Sequence, residues 1–374
     1  MAIYLDHNAT SVPLDEAVQA MIPWLNQPAN ASSVHQAGRR ARAAVERTRR
    51  AVGQSIGAER PSQITFTSGA TEALHLAIVG SVGPGQSVVI SAVEHPAVRG
   101  ACEVSGAEVI TVPVDRQGRL TAGQYADAVR EDTALVVIMG AQNEIGVLYP
   151  VAEIVEAVAP VPVLCDGAQL WGRVPIDVKT LGVTMLALSG HKVGAPQGVG
   201  ALWTRRGHLL EPHQRGGPQE RGLRGGTESV AGLVGLGVAA ERIPARIEQM
   251  SRVAELRDQL QQRLLAAVPG VIIHGVPGEG LPNTLAFRID GVPGDVVLAA
   301  LDLEGVYISS GSACSSGSVE PSPVLTALGL DPESARSGLR ISLGPETTAE
   351  EIEQVMHILP EVIHRIRAAS EDEF

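Results

Sequence analysis

From about residue 40 the chain alternates two hydrophobic rhythms. Apolar runs of four to eight residues stand between Gly and Pro punctuation: QITFT (63–67), SVVIS (87–91), EVITV (108–112), ALVVIM (134–139), VPVLCD (161–166), TMLALS (184–189) and GVGALWT (198–204). Such runs read as buried strands. Helical stretches, among them Arg39–Ile56, Thr71–Val79 and Val151–Val158, lie between them. Helices between successive strands imply right-handed crossovers and a mostly parallel, seven-stranded sheet with helices on its faces. A long amphipathic segment (243–268) breaks the rhythm. After it, strands near LAFRID (285–290), VYIS (306–309) and LRISL (339–343) give an α+β pattern. The fold class is therefore α/β. Residues 15–249 are expected to form a large domain, and residues 1–14 with 250–374 a smaller α+β domain.

Composition narrows the function classes. The 374 residues exceed what one compact core usually covers, which agrees with two domains. Aromatics make up only 3%, so the core must be mostly Ala, Val, Leu and Ile, as suits buried parallel strands. The formal charge of −12 argues against a nucleic-acid partner, which needs a basic surface. The arginine-rich run RRARAAVERTRR (39–50) reads as a solvated helix face. No apolar stretch reaches the length that spans a membrane, and MAIYLDHNAT lacks the pattern of a secretory signal. Three cysteines without CxxC spacing exclude a disulfide framework and a structural zinc site, so no metal is expected and a reducing cytoplasm fits best.

Several polar clusters fall at strand ends, where open α/β sheets bind ligands. In ITFTSGATEALHLAI (64–78) a strand, a glycine turn and a helix follow one another. The Ser68–Thr71 corner is either an anion site at a helix N-terminus or an ordinary cap supplied by Thr71. Asp166 ends a very apolar strand, where a carboxylate is costly unless it meets a cation or caps the next helix. Ser189, His191 and Lys192 follow another buried strand. Lys192 is either a surface lysine or a Schiff-base amine whose pKa burial could lower. An anion cradle, an aspartate for a ring nitrogen and a lysine for an aldehyde are together what pyridoxal 5′-phosphate requires.

The chain resembles the cysteine desulfurases, fold-type I pyridoxal-phosphate enzymes related to class V aminotransferases. The likeness runs over nearly the whole sequence. It is carried by YLDHNAT (4–10), SSVHQAGR (32–39), TSGATEA (67–73), EHPAV (94–98), QNEIG (142–146), DGAQ (166–169), SGHK (189–192), GVGALW (198–203), QERGLRGGT (219–227), SSGSACSSGS (309–318) and LRISLG (339–344). The SSGSAC form resembles the branch with a long cysteine loop.

By this resemblance Lys192 would hold the cofactor's aldehyde, Asp166 would pair with its ring nitrogen, and Gln169 would bond its phenolic oxygen. His95 would stack on the ring and assist proton transfer. Ala70, Thr71, Ser189 and His191 would hold the phosphate, and Thr227 would reach it across a homodimer. Asn143 and Arg340 would bind the substrate carboxylate, for which an arginine fork suits an amino acid. The implied reaction takes sulfur from L-cysteine, leaving L-alanine and a persulfide on Cys314. A sulfur-acceptor protein, such as an iron–sulfur scaffold, would receive it. Cys314 sits among small residues with Gly311 and Gly317 as hinges, whereas Cys102 lies in a helical region and Cys165 inside a strand.

This chain departs from the family pattern at Leu74 and His75, at Gln142 and at Gln197, none of them an assigned residue. A selenocysteine lyase on the same scaffold is the alternative activity, and a non-catalytic assembly protein the alternative class. A nicotinamide-dependent dehydrogenase is disfavoured because no GxGxxG opens a βαβ unit.

Overall fold

The computed structural model describes residues 2–276, 278–310 and 320–371. After a short strand β1 (Ile3–Tyr4) come β2 (Ile64–Thr67), β3 (Ser87–Ser91), β4 (Glu108–Val112), β5 (Thr133–Met139), β6 (Val163–Asp166), β7 (Met185–Ser189) and β8 (Gly200–Thr204). Strands β2 to β8 form one seven-stranded sheet in the order β2-β8-β7-β6-β5-β3-β4. All its pairings are parallel except those of β8, which runs antiparallel to β7 and β2. The expected mostly parallel sheet is thus present, each strand starting or ending within about two residues of its apolar run.

Alternating side chains of these strands go to opposite faces, as the two-residue period demands. Val89, Val136, Ile138, Cys165, Leu186 and Leu188 pack with the helix Gln36–Ser55 and the helix Val230–Glu241. Val88, Ile90, Leu135, Val137, Leu164 and Met185 pack under the helices Ala70–Val79 and Pro96–Ser105. Burial on both faces explains why the inner strands read as continuous apolar runs, whereas the edge strand β4 is mostly exposed.

The helix Ile243–Ala267 gives Ile243 to the first of these cores, then Met250, Val253, Leu256, Leu260 and Leu264 to a separate one. That second core lies against an antiparallel sheet. Its strands are β9 (Val271–His274), β10 (Thr284–Ile289), β12 (Ser309–Ser310) and β13 (Leu339–Ser342), in the order β12-β13-β10-β9. β11 (Val306–Tyr307) instead pairs in parallel with β1. The single strand expected at 306–309 is therefore two, and β9 lay unread in the sequence because its four residues are only half-buried.

The arginine-rich helix differs from expectation at one residue. Arg39, Arg40, Arg42, Arg47 and Arg50 are exposed, but Arg49 is buried. It covers the outer edge of β2. Its guanidinium bonds Ile64 O (2.8 Å) and both carboxylate oxygens of Glu220 (2.7 and 2.8 Å), and lies 4.5 Å from the centre of the Phe66 ring. Glu220 in turn accepts the Phe66 N–H (2.9 Å), so the strand's open edge is closed by side chains.

Candidate active site

The carboxyl ends of β2, β3, β5, β6 and β7 open into one cavity of about 550 Å³. Ala70 and Thr71 enter it at the start of the helix that follows β2. His95 comes after β3 and Asn143 after β5; Asp166 ends β6 and Gln169 follows it, while Ser189 ends β7 and His191 and Lys192 follow. Arg340, on β13 of the other sheet, closes the remaining side. Ten of the twelve assigned residues thus surround one space, contributed by chain segments up to 270 residues apart (340 − 70). Thr227 does not line it. It is exposed in a small adjoining groove whose wall, Ser68 and Gly198, also borders the cavity. Cys314 lies outside the described residues.

At the β2 corner, the first-turn amides of Ala70 and Thr71 have no acceptor within their helix and border the cavity. The Ser68–Gly69 turn gets there by packing directly on β8. A Cβ on Gly200 would lie 2.6 Å from Gly69 Cα, so only glycine allows this approach. Glu72 steadies the corner, accepting the Ser68 N–H (2.6 Å) and Arg224 Nε (2.8 Å).

Asp166 is buried at the end of β6, where its Oδ1 accepts the Ala168 N–H (2.9 Å). Burial raises its pKa, while His95 and Lys192 pull it back. The position therefore favours a cationic partner in the cavity. His95 caps its helix by accepting the Ala97 N–H at Nδ1 (3.1 Å), which leaves the proton of the neutral ring on Nε2. Burial lowers its pKa, with Asp166 opposing. His191 is pushed down to about 4, first by burial and then by Lys192 and Arg173. Its Nδ1 lies 3.1 Å from Thr10 Oγ1.

The segment around Asn8 ties these groups together, and nothing in the hydrophobic pattern singled it out. Lys192 Nζ donates to the carbonyls of Asn8 and Ala9, the latter at 2.7 Å. Gln169 Nε2 donates to the same Asn8 carbonyl (3.0 Å). The Asn8 side chain donates to Asn143 O (3.1 Å) and Thr284 Oγ1 (2.9 Å) and accepts from Asn283 (3.0 Å). Buried Arg173 fastens the segment from behind through His7 O (2.9 Å) and Gln169 O (3.3 Å). Arg340, 2% exposed, is held by Asp6 Oδ1 (2.6 Å) and Asn143 O (3.0 Å). Asn143 thus meets Arg340 through its backbone.

Three of the departures also bear on the site. Leu74 and Gln197 line the cavity, although neither was assigned a role. Gln142 fastens the turn that carries Asn143: its Oε1 accepts the N–H groups of Glu144 and Ile145 (the latter at 3.0 Å), and its Nε2 donates to Val93 O (3.3 Å).

Pyridoxal 5′-phosphate fits this residue set. Gln169 Oε1, an acceptor, is buried without a hydrogen-bond partner among the described residues, and a hydroxyl donor such as a phenol would satisfy it. The helix N-terminus suits a phosphate, the buried carboxylate suits a protonated ring nitrogen, and the Lys192 amine lines the same cavity. Among the described residues, no cluster of His, Cys, Asp or Glu is placed to hold a metal ion, and no helix is long and apolar enough to cross a membrane. Cys102 and Cys165 are buried, and burial pushes the first thiol up to about 11 and the second well above its ordinary value.

Comparison with known proteins agrees with this geometry. The family model described as aminotransferase class-V matches residues 3–355. The cysteine desulfurase NifS of Azotobacter vinelandii is 41% identical, over 98% of this chain and 94% of that protein. The chain belongs to the cysteine desulfurase family, within the class-V aminotransferases. A cysteine desulfurase of Cereibacter sphaeroides is 42% identical over 98% of this chain and 97% of its own. The solved structure of a NifS-like protein from Rickettsia africae superposes with a TM-score of 0.90 at 31% identity, covering 97% of this chain and 100% of that one. Members of the family depend on pyridoxal phosphate.

Proposed function

We propose that this chain is a cysteine desulfurase that takes sulfur from L-cysteine, releases L-alanine and hands the sulfur to an acceptor. The observation that carries this reading is the meeting of Lys192, Asp166 and Arg340 in one cavity, within a chain related to desulfurases over nearly its full length. When bound, pyridoxal phosphate supplies an electron sink that labilises bonds around the substrate's α-carbon. Lys192 would hold the cofactor's aldehyde and, once freed by the incoming amine, carry the Cα proton. Asp166 would keep the ring nitrogen protonated. His95, with its Nε2 proton, would stack on the ring. Gln169 would meet the phenolic oxygen, and Ala70, Thr71, Ser189 and His191 the phosphate. Arg340 would clamp the substrate carboxylate beside Asn143.

The Cys314 thiolate then attacks the substrate sulfur. One S–S bond forms as the Cβ–S bond breaks, and the carbon skeleton takes up a proton to become alanine, so cysteine and enzyme thiol become alanine and enzyme persulfide. Support for Cys314 in this role comes from its small-residue surroundings and from the burial of the two described cysteines, which disfavours their thiolates. The proposal includes a homodimer in which Thr227 of the partner subunit meets the phosphate, a division into domains at residues 249 and 250, a cytoplasmic location and a sulfur-acceptor protein such as an iron–sulfur scaffold.

The test is product analysis with L-cysteine and L-selenocysteine. Equimolar alanine and sulfide from cysteine, in the presence of a thiol reductant, is the expected result. Turnover of selenocysteine alone would move the assignment to the lyase. Lys192→Ala should abolish turnover, and full activity in that variant would contradict the role given to the amine.

A further inference from the structure

The segment Gln219–Thr227 is held in an unusual way for one that ends on an exposed residue. Glu220 and Arg221 are successive non-glycine residues in the left-handed region, with φ of 46° and 58°. Side chains persist in that conformation only where their surroundings impose it. Here the restraint is the Glu220 carboxylate, whose side chain is only 2% exposed. It is gripped by both terminal nitrogens of Arg49 and by the Phe66 N–H. Arg221 adds a bond to Ile64 O (2.7 Å) and Arg224 one to Glu72 (2.8 Å). The anchor points, Ile64, Phe66 and Glu72, lie on β2 and on the helix that together carry the Ser68–Thr71 corner. The restrained segment then delivers Thr227 to the groove behind Ser68 and Gly198.

We propose that Glu220 is a positioning residue for Thr227: its buried carboxylate, shared between Arg49 and the edge of β2, fixes the left-handed turn and so sets where Thr227 is presented to a cofactor phosphate. The inference rests on the reading of Thr227 as a phosphate ligand. It adds that the ligand's placement depends on a buried ion pair registered to the strand and helix that cradle this subunit's own phosphate, whereas Thr227 itself is offered to the phosphate of the partner subunit. The corner that holds the phosphate of one subunit and the threonine which that subunit offers to its partner are thereby linked.

The experiment uses the full-length enzyme, stripped of cofactor and titrated with two probes, pyridoxal 5′-phosphate and pyridoxal, which lacks the phosphate. Glu220→Gln keeps the side chain's size and removes its charge, while Arg49→Lys keeps the charge and removes the fork. Each should weaken pyridoxal phosphate by about tenfold, the cost of a charged hydrogen bond, yet change pyridoxal by less than about twofold. Thr227→Val should show the same selective loss. The double variant Glu220→Gln/Thr227→Val should bind no more weakly than Thr227→Val alone, because residues acting through one another are not additive.

Equal losses for both probes, or losses that multiply in the double variant, would overturn the proposal and leave Glu220 a residue of the fold alone. Normal phosphate-dependent binding by Thr227→Val would overturn the reading of Thr227 itself, and is told apart from the first outcome by that single variant. Where Glu220→Gln does not fold, Arg49→Lys and its double variant with Thr227→Val carry the same comparison.

Discussion

Arg340→Met isolates the carboxylate clamp. The guanidinium is already oriented by Asp6 and by the Asn143 carbonyl, so little conformational freedom is lost when a second carboxylate arrives. Its Nε is buried without a partner among the described residues. A charge-assisted bond in such a setting is worth about 2–4 kcal/mol, which converts to roughly 30- to 900-fold in kcat/KM. The assay compares L-cysteine with cysteamine, the same thiol and amine without the carboxylate. The parent enzyme should prefer L-cysteine strongly, and in Arg340→Met that preference should collapse while cysteamine turnover changes little. A variant that loses both substrates equally, or keeps its preference for L-cysteine, would refute the clamp. Asp6→Asn serves as the control, since it loosens Arg340 without removing it and should cost less than Arg340→Met.

Other outcomes follow from single contacts. Gly200→Ala should weaken cofactor binding about 5- to 160-fold, because its methyl would push on Gly69 and displace the Ser68–Thr71 corner, an overpacking cost of about 1–3 kcal/mol; equilibrium titration of the cofactor measures this. His7 is held down to about 3, by burial first and then by Arg246 and Arg173. The unfolded chain therefore takes up this proton first as pH falls below about 6.5. The stability linked to His7 is fully present above that value and is lost toward pH 3, at about 1.4 kcal/mol per pH unit. Urea midpoints at pH 7 and pH 5 should show the slope, and His7→Asn should flatten it. Cys314→Ser should still change the cofactor spectrum on adding cysteine but release almost no sulfur to an acceptor, and normal desulfuration by that variant would remove Cys314 from the mechanism.

Much of the fold was legible because burial leaves a period in the sequence. Strands such as Met185–Ser189, covered on both faces, must be apolar throughout, and the turns between them must break that run. The antiparallel course of β8 was not legible, since direction leaves no trace in hydrophobicity. Asp166 and Lys192 stood out as polar residues at the ends of apolar strands, where their presence demanded a reason.

The Asn8 segment and the Arg49–Glu220 pair stood out far less. Asn8 bonds Asn143 and Ser342, 135 and 334 residues away, and Glu220 lies 171 residues from Arg49; such pairings are specified by packing alone. Arg49 looked like its exposed arginine neighbours because only its place on the helix, facing the edge of β2, distinguishes it. Thr227 and Cys314 were readable only through the family resemblance, since neither a threonine after two glycines nor a thiol in a serine-rich run declares a function by itself.

The central claim is that sulfur leaves cysteine by way of Cys314. Purified enzyme is exposed to a single equivalent of L-cysteine without reductant, quenched with an alkylating reagent and digested, while alanine is measured in the same sample. The expected result is a Cys314 peptide heavier by one sulfur atom, with Cys102 and Cys165 unmodified and one alanine formed per persulfide. Alanine produced with Cys314 left unmodified would contradict the account.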